Sequence, residues 1–200
     1  MRARTFYREL TAAGLLAASY PLSWIAECRG FSNRDEGTPV VLLHGMGGNR
    51  ANLLVLAMYL RLAGFTNIVF FEYSRVEPTA IAAEHLADLV DELGSPNGVH
   101  LVGHSQGGTI ARRFSAGAAP GTVRSLVTLG SPYRYEQQSP KEVAIFGEED
   151  TIVPPPRIHR IRPGAVKRAV ILPSTGHLGV LYHAETMRLI ESELTANAGL

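Results

Sequence analysis

From Thr38 onward, apolar runs of strand length alternate with segments whose apolar residues recur at helical spacing. That alternation is the mark of a parallel sheet, because a parallel pair of strands needs a crossover connection and a helix usually supplies it. The strand candidates are Pro39–Leu43, Ile68–Tyr73, Val99–Val102, Val123–Leu129, Val143–Phe146 and Lys167–Leu172. Several are too uniformly apolar to have one face in water, so cover on both faces is expected. The helix candidates between them are Asn52–Ala63, ended by Gly64; Pro78–Leu93, ended by Gly94; Gln106–Ala116; and Leu178–Leu194. In the second, Ala82, Leu86, Leu89, Val90 and Leu93 form one stripe opposite Glu84, Asp88, Asp91 and Glu92, as a helix lying on a sheet requires. The expectation is an α/β fold: a minimal, mostly parallel six-stranded sheet with helices on both faces.

A chain of 200 residues has room for one such domain, set at residues 38–200, and little else. Hydrophobic residues make up 46% and charged ones 18%, which excludes disorder as the main state. The net charge of +1, with no basic block in the body of the chain, excludes nucleic acid as a partner. Cys28 is the single cysteine, so neither an intramolecular disulfide nor a cysteine-based zinc site is expected. Residues 1–37 stand apart as an apolar N-terminal segment. Arg2, Arg4 and Arg8 precede an uncharged run over residues 10–26 that Pro21 interrupts. Two readings fit. The charge pattern favours an export signal or membrane anchor over residues 1–27; the missing small-x-small cleavage site favours an uncleaved packed helix, Arg4 to about Ala18, in a cytoplasmic protein.

The chemistry concentrates at Gly103-His104-Ser105-Gln106-Gly107, which is G-x-S-x-G between a strand and a helix. A turn that sharp tolerates no side chains two residues either side of the serine, and it lifts the serine hydroxyl above the sheet. A hydroxyl attacks only when a base takes its proton, so an acid and a histidine are required downstream, in that order. Asp150, after the strand Val143–Phe146, and His177, after the last strand, supply them. Both stand at carboxyl ends of strands, where open α/β sheets place ligands. Glu148 and Glu149 compete for the role of acid; Asp150 is preferred. Gly45-Met46-Gly47-Gly48 ends the first strand, and the backbone N–H groups of Met46 and Gln106 are the expected oxyanion donors. A dinucleotide fingerprint is rejected, because Arg50 stands where its third glycine belongs and only Glu72 could take the ribose position.

These motifs, with Pro39-Val40-Val41-Leu42-Leu43-His44-Gly45-Met46-Gly47-Gly48, Val127-Thr128-Leu129-Gly130-Ser131-Pro132 and Gly176-His177-Leu178-Gly179-Val180-Leu181-Tyr182, resemble the α/β-hydrolase superfamily. Within it they are most similar to the small lidless bacterial triacylglycerol lipases and esterases, whose minimal mature enzymes have no counterpart of the first 37 residues. The resemblance implies an α/β-hydrolase fold and a serine carboxylester hydrolase with Ser105 as nucleophile, His177 as base and Asp150 as its partner.

Only Gly130–Glu142, thirteen residues, separates the strand after the nucleophile helix from the next, too few for a helical lid or cap domain. The motifs place Met46, Pro132, Tyr133, Ile152, Val153, Leu178 and Val180 near the mouth. Of these Tyr133, Ile152, Val153 and Leu178 are the expected substrate-binding residues, suited to an acyl chain. The expected partner is a small-molecule or lipid ester, with contact to a membrane or lipid interface, and the protein is expected to be a monomer. His85, His100, His159 and His183 have no partner at ligand spacing, so no metal and no cofactor are expected. Two rivals share these residues: a thioesterase or acyltransferase using the same triad, and a hydrolase-fold binding protein without chemistry.

Overall fold

Side chains of a strand point alternately to its two faces, and in β1 (Val40–Leu43) both sets are apolar and fully buried. Val40 and Leu42 join one core cluster, Val41 and Leu43 the other. A strand with no wet face must lie in the middle of a sheet covered on both sides. The computed structural model, which describes residue 5 and residues 9–14, 37–74, 76–133, 139, 141–157, 161 and 164–197, places β1 there. The other strands are β2 (Ile68–Phe71), β3 (Val99–His104), β4 (Val123–Leu129), β5 (Glu142–Gly147) and β6 (Arg168–Leu172). They form one six-stranded sheet in the order β2-β1-β3-β4-β5-β6, and every neighbouring pair is parallel.

The face carrying Val40 and Leu42 packs on α1 (Leu54–Leu62), α4 (Gly179–Tyr182) and α5 (Ala184–Ala196). The opposite face packs on α2 (Thr79–Leu93) and α3 (Gln106–Gly117). Pro78 precedes α2, and Gly94 closes it in the left-handed conformation at φ 56°, the usual way to end a helix.

Two helices depart from expectation. The segment expected as one helix over Asn52–Ala63 begins as a 3₁₀ turn, Arg50–Leu53, whose first free N–H, that of Ala51, is capped by the Asn49 side chain. The segment expected as one helix over Leu178–Leu194 is two, α4 and α5, broken at His183. There the backbone is extended (φ −76°, ψ 129°) and the ring accepts a hydrogen bond from the N–H of Glu185 at 3.1 Å. An imidazole that caps α5 from outside cannot also continue α4 into it.

The expected helix from Arg4 to Ala18 lies largely outside the described residues, as do Cys28 and His159. Residues 9–14 are helical, Thr5 and Ala12 are buried, and among the described residues no helix is long and apolar enough to cross a membrane.

Candidate active site

β3 ends at His104, and α3 begins two residues later, so Ser105 alone makes the turn. It does so at φ 53°, ψ −119°, a region that costs a residue with a side chain of order 1–3 kcal/mol and persists only where its surroundings enforce it. A Cβ on Gly103 would lie 2.5 Å from the amide nitrogen of Gly108, and one on Gly107 would run into the carbonyl oxygens of Leu43 and His44. The two glycines let α3 start directly against β1 and β3, and Ser105 takes the strain.

The structure brings Ser105, His177 and Asp150 together from three strand ends. His177 Nδ1 is 2.7 Å from Asp150 Oδ2, and His177 Nε2 is 3.1 Å from Ser105 Oγ. A carboxylate can only accept, so Nδ1 carries the proton and Nε2 turns its lone pair to the serine hydroxyl. Asp150 is buried, and its other oxygen, Oδ1, accepts the N–H groups of Ile152 at 2.9 Å and Val153 at 2.7 Å. Those donors fix the carboxylate's rotation. Glu148 is turned elsewhere and accepts from the N–H of Ser174 at 3.0 Å.

His104, at an x position of the pentapeptide, is buried beneath the site and places Nε2 3.1 Å from the carbonyl oxygen of His177. Burial, helped by the neighbouring His177, pushes its pKa down to about 3. The ring is therefore neutral at ordinary pH, and since a carbonyl only accepts, its one proton sits on Nε2.

The loop after β1 passes against the serine. A Cβ on Gly45 would stand 2.9 Å from His104 Nδ1 and 3.1 Å from Ser105 Cβ, so the loop passes Met46 close by Ser105. A tight turn closes from the N–H of Gly48 to the carbonyl of Gly45 at 3.0 Å, with Gly47 at φ 74°, and its closing bond does not use the N–H of Met46. Gln106 opens α3, where the first N–H groups have no acceptor within the helix. The loop is braced from behind. His44 stacks on Tyr73 with ring centroids 4.5 Å apart, and the Tyr73 hydroxyl donates to the carbonyl of His44 at 2.7 Å. Glu72 lies 3.4 Å from His44 Nε2 and accepts from Arg50 at its backbone N–H and Nε, 2.8 and 3.0 Å.

Of the residues expected around the mouth, Met46 is 74% and Ile152 69% exposed, while Pro132, Tyr133, Val153 and Leu178 are half-buried. Tyr133 meets the edge of Phe146. Val180, expected at the mouth, is instead fully buried in the core beneath it, because α4 turns that side chain inward.

Sequence reasoning missed two groups that shape the site. One is Arg112 on α3, which is buried against Glu142 at 2.7 Å and donates to the carbonyl of Pro132 at 2.8 Å. The other is Glu9, which accepts from the N–H groups of Leu178 and Gly179. Among the described residues no group of His, Cys, Asp and Glu could hold a metal ion.

Residues 38–149 match the family described as alpha/beta hydrolase fold. Among solved structures, a bacterial membrane phospholipase A described as a virulence factor superposes with TM-score 0.67 at 17% identity, over 98% of this chain and 94% of that one. MGS-MChE2, an alpha/beta hydrolase from the sediment metagenome of the Mar Chica lagoon in Morocco, gives TM-score 0.63 at 22% identity over 80% and 92%. A thermophilic esterase from Thermogutta terrifontis gives TM-score 0.62 at 16% identity over 81% and 91%.

Proposed function

Because the chain belongs to the alpha/beta hydrolase fold family, we propose that it is a serine carboxylester hydrolase, a lipase or esterase acting on lipid-like acyl esters. The observation that carries this reading is the continuous hydrogen-bonded series Ser105, His177, Asp150. Ser105 Oγ attacks the acyl carbon as its proton passes to His177 Nε2, and Asp150 stabilises the imidazolium that forms. The carbonyl oxygen becomes an oxyanion received by the N–H groups of Met46 and Gln106, an interaction worth about 3–4 kcal/mol per donor in sites of this kind. Collapse expels the alcohol, which takes the proton from His177. Water then repeats the sequence on the acyl-enzyme and releases the acid.

The rim supports an apolar acyl group. Met46, Tyr133, Ile152, Val153 and Leu178 surround the mouth, and a shared fold with a membrane phospholipase A is in keeping with a lipid ester presented at an interface. The connection from Gly130 to Lys141 is too short to carry a helical lid, so the serine is read as open to its substrate, in a protein that acts as a monomer. The mechanism calls on no metal or cofactor.

The test is hydrolysis of p-nitrophenyl esters from acetate to palmitate, with Ser105→Ala alongside. Turnover rising with chain length, and falling about 10⁶-fold in kcat in the variant, is the expected result for a lipase. Preference for short chains would place the protein among carboxylesterases. Turnover no greater than the variant's would overturn ester hydrolysis and bring forward acyl transfer, thioester cleavage or a binding role.

A further inference from the structure

His177 follows the edge strand β6, and its main chain is gripped from two sides. Its carbonyl oxygen accepts from His104. On the other side, the two residues after it give their N–H groups to a single carboxylate: Leu178 donates to Glu9 Oε2 at 2.9 Å, and Gly179 to Glu9 Oε1 at 2.6 Å. The seat is closely shaped. A Cβ on Gly176 would lie 2.5 Å from Glu9 Cδ, and one on Gly179 would lie 2.6 Å from Glu9 Oε1. The chain therefore lacks side chains on both sides of His177-Leu178, just where the carboxylate fits. Hydrogen bonds to an ionised acceptor are roughly twice as strong as neutral ones, and a pair held by one carboxylate also fixes direction.

We infer that Glu9 is a positioning residue of the hydrolytic site, clamping the main chain at 176–179 so that the His177 ring keeps its hydrogen bonds to both Asp150 and Ser105. The inference rests on the Ser105–His177–Asp150 reading above. It makes residues 9–14, which the sequence sets apart from the catalytic domain, a working part of it. A chain trimmed to begin at Thr38 keeps all three reacting side chains and loses the clamp.

The test uses the full chain with Glu9→Ala, Glu9→Gln and Gly179→Ala. It is read by kinetics on the ester the parent hydrolyses best, by amide hydrogen exchange at Leu178 and Gly179, and by thermal unfolding. Glu9→Ala is expected to lower kcat about 10- to 100-fold and leave KM within about two-fold. Both amides should exchange faster while unfolding stays cooperative. Glu9→Gln keeps one carbonyl oxygen as acceptor and should fall in between. Gly179→Ala, whose methyl claims the place of Oε1, should resemble Glu9→Ala and add little to it in the double variant. Parental kcat per folded molecule in Glu9→Ala, a loss confined to KM, or unchanged exchange at the two amides would each overturn the role. If the parent itself turned over no ester, the hydrolase reading would fall. The clamp would then be judged on exchange and on the downfield Nδ1 proton of His177, and signals indifferent to Glu9→Ala would overturn it.

Discussion

At Gly107 there is no room for a methyl group: a Cβ would lie 2.6 Å from the carbonyl oxygen of Leu43 and nearer still to that of His44. Both are backbone atoms at a strand end and cannot swing aside. Gly107→Ala should therefore push α3 off β1 and cost about 1–3 kcal/mol through overpacking. It should also lower kcat more than KM, since Ser105 rides on the same turn. Urea unfolding and ester kinetics check this, and a variant of parental stability and kcat would show slack in the turn. The pentapeptide is legible in the sequence because its constraint is local, every residue lying within two of Ser105. Glu9 is not, because its partners lie 169 and 170 residues away and nothing in its neighbourhood announces them. Asp150 falls between. Glu148, Glu149 and Asp150 offer the same charge, and only the path of the loop after β5 turns the third toward His177.

Between elements, the connection hardest to foresee is the buried pair that joins α3 to β5. Arg112 is 1% and Glu142 0% exposed, and Thr128 on β4 donates to the same carboxylate at 2.5 Å. Removing one partner strands the other charge, so Arg112→Met should cost about 3–5 kcal/mol. Arg112→Met combined with Glu142→Leu should recover at least half of that, short of all because the Pro132 carbonyl loses its donor. A urea double-mutant cycle measures both, and a single variant within about 1 kcal/mol of the parent would mean that water reaches the pair. In the sequence Arg112 is one of two adjacent arginines on a helix, and Glu142 reads as the end of a loop. The strands are legible to within two residues, because uniform apolar runs have no other stable home. The break at His183 is not, since histidine continues a helix as readily as it caps one, and the choice is made by packing.

Across the molecule, burial holds His100 and His104 neutral. Burial lowers the pKa of His100 to about 4, helped by the charge of Arg124, and that of His104 to about 3, from an ordinary 6.5. Between pH 6.5 and about 4 the unfolded chain binds protons on both rings while the folded chain stays largely unprotonated there, so stability falls as pH drops through that window and is flat above it with respect to these groups. Near pH 5 the slope should approach two protons, about 3 kcal/mol per pH unit. Urea midpoints between pH 4 and 7 check it. His100→Asn should remove about half the slope, and a flat profile near pH 5 would mean that both rings take up protons in the folded state. The sheet order sets a further limit. Asp150 and Ser105 leave interior strands, but His177 leaves β6, which has a neighbour on one side only. Strands at a margin fray before those inside them. On the proposed reading, activity thus inherits the endurance of a strand at the sheet's margin, and it can be lost while most of the core is still intact.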